Sequence, residues 1–563
     1  MKHLLFLTGF FSVFGFSQSI RIPYDLSKVR SFRDWQGEFL VVPGQPKVPK
    51  ITARILVPYG QTVKKVEFVF DSTQVLFEKR RLERVSFPLA TCLDKSSQSR
   101  LPSPIENSAW YPQKPWSEPS IIQKYGYQVL YVDLYPAQYQ SELEVISWLP
   151  SGDLQIEFTD SRAFFLENLR SDEQDEREAL LLADDISAQS TYPPVSAKGG
   201  LAEYLIIGPK EFLADQSEYS INGLMREKAS RGITSKYLTL EDIGTQFAGS
   251  STQEKIRAAV KKSYKEEGTR YLLLIGNGYS KTPTKILTVE LSEGSLPSDL
   301  YFGCLDGDFK TRPYDLACEV AVGRAPASTV AELRAFVKKS LVLQSLKVGD
   351  PLVWRTINFG EKMDSSTYAS SSLKMLAEGG IAGEGNPTVG YPSQALIFNF
   401  YETPQKTYSS SQFLQGMNLG PFYTLNHLGH CQNTYCLKLN LDAIPKIKTS
   451  LPFVGFTQGC FPGNMRQTNW ASKMVLQSEG GAGAFIANSN YGWYEPGGGD
   501  GHSNRLHTMF YDTVFREGSR VLGKTLYRAK ERLISQALND SYMLWVLFET
   551  NLFGDPEINL KFP

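Results

Sequence analysis

The hydrophobic period of this chain changes at Leu201, and that change limits the folds open to it. Between residues 20 and 165, short runs such as ITARILVPYG, KKVEFVFDST, YQVLYVDLYP and LQIEFTD alternate polar and apolar residues and are broken by Pro and Gly. A period of two over runs of this length predicts an all-β domain, a sandwich. Beyond Leu201, EYLIIGP, SKYLTLEDI, RYLLLIGN and CEVAVGRAP read as buried strands with helical segments between them. Alternation at βα spacing calls for a mostly parallel sheet covered by helices. A second unit of the same kind begins near Pro351, with strands in WRTINFGEK, ALIFNFYE, FYTLNHLG, PFVGFTQGC and AGAFIANSNYG. Helices fit 365–376, 465–479, 503–516 and 520–537, and the closing LWVLFETNLFGDPEINLKF reads as strand or loop. The expected fold class is therefore α/β: mostly parallel sheets flanked by helices in two adjacent units, 201–350 and 351–563, behind an all-β domain at 20–165.

The first nineteen residues, MKHLLFLTGFFSVFGFSQS, have a basic start, a short apolar run and a small or polar end. They read as a secretory signal rather than a membrane span, which makes the mature protein secreted or periplasmic, with no stable membrane insertion. Residues 166–200 are acidic, then turn-rich, and read either as a linker that a protease reaches, with Arg170, Arg177 and Lys198 as processing points, or as a plain ordered connection. Lys plus Arg and Asp plus Glu number 59 each, a balance that argues against a nucleic-acid partner.

The chain has only five histidines and six cysteines, and two of each fall in the thirty-six residues from Leu425 to Cys460, together with a third cysteine. NHLGHC places His430 just past one predicted strand, and LPFVGFTQGC places Cys460 just past the next. Functional side chains of such sheets sit beyond the C-terminal strand ends, so the two residues make a candidate base and nucleophile for acyl transfer. Backbone N–H groups of the turn after Cys460 would lower its thiol pKa and help to bind an oxyanion. His427, three residues before His430, points to the other strand face and is expected to pack or hydrogen-bond beneath the site. Cys304 with Cys318, and Cys431 with Cys436, are possible disulfides. CQNTYC lacks the second knuckle of a zinc site, so no metal is expected there. The glycine-rich EPGGGDGHSNR lacks the context of a phosphate loop. Its Asp500 and His502 read as solvated residues of a mobile lip.

YLIIGPKEF, RGITSKYLTLEDIG, YLLLIGN, EVAVGRAPASTVAEL, LNHLGHC, PFVGFTQGC, GAGAFIANSNYGW and FGDPEINL together resemble the gingipain-like cysteine peptidases, which share the caspase-type fold. The resemblance covers 201–562, and the β-rich segment before it looks like that family's pro-domain. It implies a cysteine endopeptidase acting on protein or peptide substrates, with the pro-domain as an intramolecular inhibitor. No cofactor is required, and a structural calcium ion is compatible with it. By this resemblance Cys460 is the nucleophile, His430 the base, and Glu361 the acid that orients the base. Asp364 and Trp493 line a primary pocket suited to a basic P1 side chain. The backbones of Cys431 and Cys460 form the oxyanion hole, although the family has Gly where this chain has Cys431. A thiol there is placed to form a reversible disulfide with Cys460, and Cys431→Gly is expected to keep or raise activity. Two further readings are a maturation transpeptidase of the same family and a catalytically silent binding or structural protein.

Overall fold

The computed structural model describes residues 10–14, 17–25, 31–71, 75–92, 109–149, 151–161, 172–194, 200–289, 291 and 294–563. Arg170 and Lys198, named above as processing points, lie outside the described residues. Arg177 sits on the helix Glu173–Leu180, so part of the expected linker is ordered.

The apolar runs beyond Leu201 form ten strands of one sheet: β1 (Tyr204–Gly208), β2 (Ser235–Thr239), β3 (Tyr271–Ile275), β4 (Ala321–Ala325), β5 (Arg355–Gly360), β6 (Leu396–Tyr401), β7 (Thr424–Leu428), β8 (Phe453–Thr457), β9 (Ala482–Asn488) and β10 (Thr550–Phe553). Their order is β2-β1-β3-β4-β10-β9-β8-β7-β5-β6. Every neighbouring pair is parallel except β9 with β10. The two expected α/β units are thus two halves of a single sheet, running in opposite directions and joined along β10. The segment read as closing strand or loop supplies this join only from Thr550 onward. Its LWVLFE belongs to the helix Ser541–Glu549, buried from Met543 to Glu549. Burial of the strands on both faces explains their unbroken apolar runs: β1, β3, β7, β8 and β9 have no exposed residue.

Period two holds in the strand Ser17–Asp25 of the N-terminal domain but not in Tyr127–Leu134, which is buried along its whole length. Ile20, Ile22 and Tyr24 are buried between exposed neighbours. Ser17–Asp25, Ser151–Asp160 and Gln61–Phe70 pair in one sheet, and Val48–Leu56, Tyr127–Leu134 and Ser120–Lys124 pair in another. Ile20, Ile22, Phe68, Leu154, Ile156 and Phe158 from the first meet Ala53, Ile55, Leu130, Val132 and Leu134 from the second in one core, a sandwich. Phe10–Phe14, inside the expected signal, pairs antiparallel with Ser17–Asp25 as an edge strand.

The sandwich docks on the α/β domain through buried ions. Lys50, fully buried, pairs with Glu384 and lies 3.8 Å from Asp133. Lys124 Nζ reaches Glu531 Oε1 at 2.5 Å. Buried pairs of this kind add little net stability but penalise any other docking, because a misplaced partner leaves a charge uncompensated.

Candidate active site

Four adjacent strands of the second half end at one edge of the sheet, and each delivers one of the sequence candidates. Glu361 directly follows β5, His430 follows β7 by two residues, Cys460 follows β8 by three, and Trp493 follows β9 by five. Parallel direction across β9-β8-β7-β5 is what gathers these loops.

Cys460 is fully buried. Its neighbour Phe461 has φ of 65°, a left-handed backbone that costs a non-glycine residue on the order of 1 kcal/mol or more. The turn is held by Phe461 N–H donating to Asn490 O at 2.7 Å and Gly463 N–H donating to Asn488 O at 2.9 Å. The next helix, Trp470–Leu476, begins nine residues beyond Phe461 and is capped by Asn469. Cys460 therefore sits on a constrained turn and not at a helix N-terminus. The helix expected at 465–479 is shorter than its apolar pattern suggested. Behind the thiol lies Glu549, where burial and the nearby Cys460 hold the carboxyl well above its ordinary range.

Glu361 holds the histidine segment by two oxygens. Oε1 meets His427 Nε2 at 3.3 Å, and Oε2 accepts the His430 backbone N–H at 3.2 Å. Burial disfavours its charge, but the hydrogen bond and charge of His427, with Lys438 and His430 nearby, outweigh this and keep the carboxyl below its usual value. Glu361 thus reaches His430 through the main chain, and its side-chain partner is His427. This corrects the expectation that Glu361 orients the His430 ring directly. His427 lies beneath the site as expected, fully buried, with Nδ1 2.7 Å from Thr457 Oγ1. His430 Nδ1 is buried with no hydrogen-bond partner among the described residues.

Cys431 is bonded to Cys436, and Cys304 to Cys318, while Cys92 and Cys460 stand outside both disulfides. Both are pairings the sequence left open, and Cys431 takes Cys436 rather than Cys460 as its partner, with Gly459 leaving room: a Cβ there would lie 2.2 Å from Cys431 Sγ. His427, Cys431 and Cys436 cluster closely enough to bind a metal, but the two sulfurs are joined to each other and offer no thiolate pair.

A strand of the N-terminal domain lies across this edge. Leu89–Ala90 pairs antiparallel with Trp493–Tyr494. Thr91 N–H donates to Gly492 O at 2.8 Å, and Cys431 N–H donates to Thr91 O at 3.4 Å. The Thr91 hydroxyl donates to Gln458 O at 3.0 Å and lies 3.3 Å from Cys460 Sγ. Ala90, Cys92 and Cys460 form one apolar cluster, with Phe461, Tyr491 and Trp493 packed on it.

A sequence profile described as peptidase family C25 matches residues 198–561. The chain belongs to peptidase family C25. Among solved structures, it is similar to the Arg-specific cysteine proteinase gingipain R at 17% identity, over 65% of this chain and 80% of that one, with a TM-score of 0.47. A complex of the pro- and mature domains of RgpB from Porphyromonas gingivalis matches at 16% identity, over 64% and 79%, with a TM-score of 0.48. Dimeric latent PorU from the same organism matches at 11% identity over 97% of this chain and 52% of that one, with a TM-score of 0.31. No curated protein sequence matches.

As a C25 peptidase the chain is a member of a cysteine peptidase family, and the remaining sequence candidates can be placed around its thiol. Trp493 is half-buried in contact with the cluster around Cys460, its ring edge-on to Tyr542 at 4.9 Å. Asp364 is already occupied. Its Oδ1 accepts the Ser366 and Thr367 N–H groups at 2.8 and 2.7 Å, and its Oδ2 accepts the Tyr494 hydroxyl at 3.0 Å. Burial opposes ionisation, but these donors hold the carboxyl at about 2. It closes a turn before the helix Ser370–Glu378. His502 is not solvated as expected, whereas Asp500 is partly exposed. His502 is buried with Nε2 2.6 Å from Asp540, and Asp500 accepts the Gly383 N–H at 2.7 Å. Thr91, Gln458 and Gly492 carry no sequence signal. Only the packing of the N-terminal domain brings Thr91 to the thiol.

Proposed function

We propose that the chain is an exported cysteine endopeptidase held latent by its own N-terminal domain. One observation carries this reading: an extended segment, paired to Trp493–Tyr494, sets the Thr91 carbonyl against the Cys431 N–H and the Thr91 side chain against Cys460 Sγ. A substrate strand laid the same way would present its carbonyl carbon to the thiol. Cys460 Sγ attacks that carbon, and His430 takes the thiol proton. The resulting oxyanion is held by the Cys431 N–H and the Cys460 N–H. The C–N bond then breaks as His430 returns the proton to the leaving amine, and water resolves the thioester. Glu361 fixes the His430 main chain, and the His427–Thr457 pair supports Glu361 from below.

Latency follows from occupancy, because the segment Leu89–Cys92 and a substrate compete for the same main-chain partners. Export rests on the nineteen-residue apolar leader. N-terminal sequencing of the secreted protein checks it, with a start after residue 17 or 19 as the expected result. The peptidase reading is tested by casein cleavage with parent and Cys460→Ala chains after limited proteolysis of both. Cleavage confined to the parent is expected, and equal cleavage rejects the mechanism. Ligated products on adding an amine nucleophile would mark the maturation transpeptidase instead.

A further inference from the structure

Resting on the peptidase reading above, we infer that the site cleaves after a small hydroxylated residue, with threonine at P1, alanine or similar at P2 and an apolar residue at P3. The segment Leu89–Ala90–Thr91 is bound as the acyl side of a substrate is bound to such a site. Its strand runs antiparallel to Trp493–Tyr494. The Thr91 N–H is held by Gly492 O, and its carbonyl faces the Cys431 N–H beside the thiol. That register makes Thr91 the P1 residue and the Thr91–Cys92 bond the one presented to Cys460.

The surroundings of the Thr91 side chain define the pocket. Thr91 is fully buried. Its hydroxyl donates to the carbonyl of Gln458 at 3.0 Å. A second wall, adjoining it, is the main chain of Gly492, where a Cβ would lie 2.1 Å from Gln458 O and 2.7 Å from Thr91 Oγ1. Two main-chain walls cannot withdraw as a flexible side chain can, so the pocket accepts a short side chain and excludes a long one. A P1 valine fits the shape but leaves the buried Gln458 carbonyl without its donor, a loss that sites built around a hydroxyl convert into strong discrimination. A P1 arginine would need a carboxylate, and Asp364 is bound by Ser366, Thr367 and Tyr494. Leu89 packs beside Met363, Leu373, Leu428 and Tyr494, which makes the P3 subsite apolar.

The test uses the full chain and three peptidyl acyloxymethyl ketones, Leu-Ala-Thr, Leu-Ala-Val and Leu-Ala-Arg. With these, Cys460 Sγ forms a thioether and the carboxylate leaves. Labelling of Cys460 is followed by intact mass and peptide mapping, in the parent and in a Thr91→Arg chain whose own segment no longer fits the pocket. The expected result is that Thr91→Arg is labelled faster than the parent. In both chains the threonine probe should outpace valine and arginine by at least about tenfold. Faster labelling by the arginine probe, or slower labelling of Thr91→Arg than of the parent, overturns the P1 assignment and leaves the peptidase reading standing. Cys460 unlabelled by every probe in both chains, before and after limited proteolysis of the N-terminal domain, overturns the peptidase reading and the assignment with it. The parent series keeps the test decisive if Thr91→Arg does not fold.

Discussion

Glu361→Ala should damage the site and the fold together, by an amount the contacts allow to be worked out. The carboxylate is buried and accepts from two partners: the His430 N–H at 3.2 Å and the His427 ring at 3.3 Å. Its removal orphans both, at about 1–3 kcal/mol for each buried polar group. A cavity opens against the Gly429 turn, where even a Cβ would come within 2.5 Å of the carboxyl carbon. A total loss of about 2–6 kcal/mol follows from the two orphaned groups. Glu361→Gln should cost less, on the order of 1 kcal/mol, because its oxygen can still accept the His430 N–H while its NH2 meets the other tautomer of His427. The pH dependence gives a second handle. The carboxyl lies below its ordinary value of 4.5, so its stabilisation is present above that pH and lost as pH falls through the lowered value. The deficit of Glu361→Ala should therefore shrink on acidification. The assay is urea unfolding at pH 7 and pH 3, alongside the rate of Cys460 alkylation by a peptidyl electrophile. Displacing His430 by even 1 Å should slow that rate about a hundredfold. An unchanged midpoint and unchanged labelling in Glu361→Ala would refute the role assigned to this carboxylate.

The cross-link between Cys431 and Cys436 closes a short loop, so Cys436→Ser should lower stability by about 2 kcal/mol in urea unfolding under oxidising conditions. Cys431→Gly should show the same loss of stability, because it removes the same cross-link. The buried carboxyls of Asp306, Asp315 and Glu319 are all raised, chiefly by burial and, for Asp315 and Glu319, by their charged neighbours, with Asp315 pushed up to about 7. An acid raised in the folded state contributes stability fully below its unfolded pKa and loses it as pH rises, here from about 4 to 7. Asp315→Asn should accordingly gain on the parent across that window, by on the order of 2 kcal/mol, in melting curves at pH 5 and pH 8.

The alternation of strand and helix carried most of the fold, because strands buried on both faces leave an unmistakable apolar run between helices. It could not reveal that both units share one sheet. That join is made by Thr550–Phe553, preceded by a helix apolar on all sides, whose sequence lacks any period to separate it from a strand. The same alternation placed His430, Cys460 and Trp493 at strand ends, and the family resemblance added Glu361. What it lacked was the partner of each side chain. Glu361 chooses His427 over the His430 ring, and Cys431 chooses Cys436, for reasons of direction that spacing does not encode. The largest omission was Thr91. Its place against Cys460, 369 residues away in sequence, depends on docking of the whole sandwich through Lys50 and Lys124.

The central claim is that Cys460, activated beside His430, is the attacking group in a cleft filled by the chain's own N-terminal domain. Its most direct measurement is the rate of covalent capture of Cys460 by the threonine ketone in parent, His430→Ala and Cys460→Ala chains, each before and after limited proteolysis of the N-terminal domain. The account predicts modification at Cys460 alone, slow in the intact parent, faster after proteolysis, and lost in both variants. Capture at another residue, or undiminished capture in His430→Ala, would contradict it.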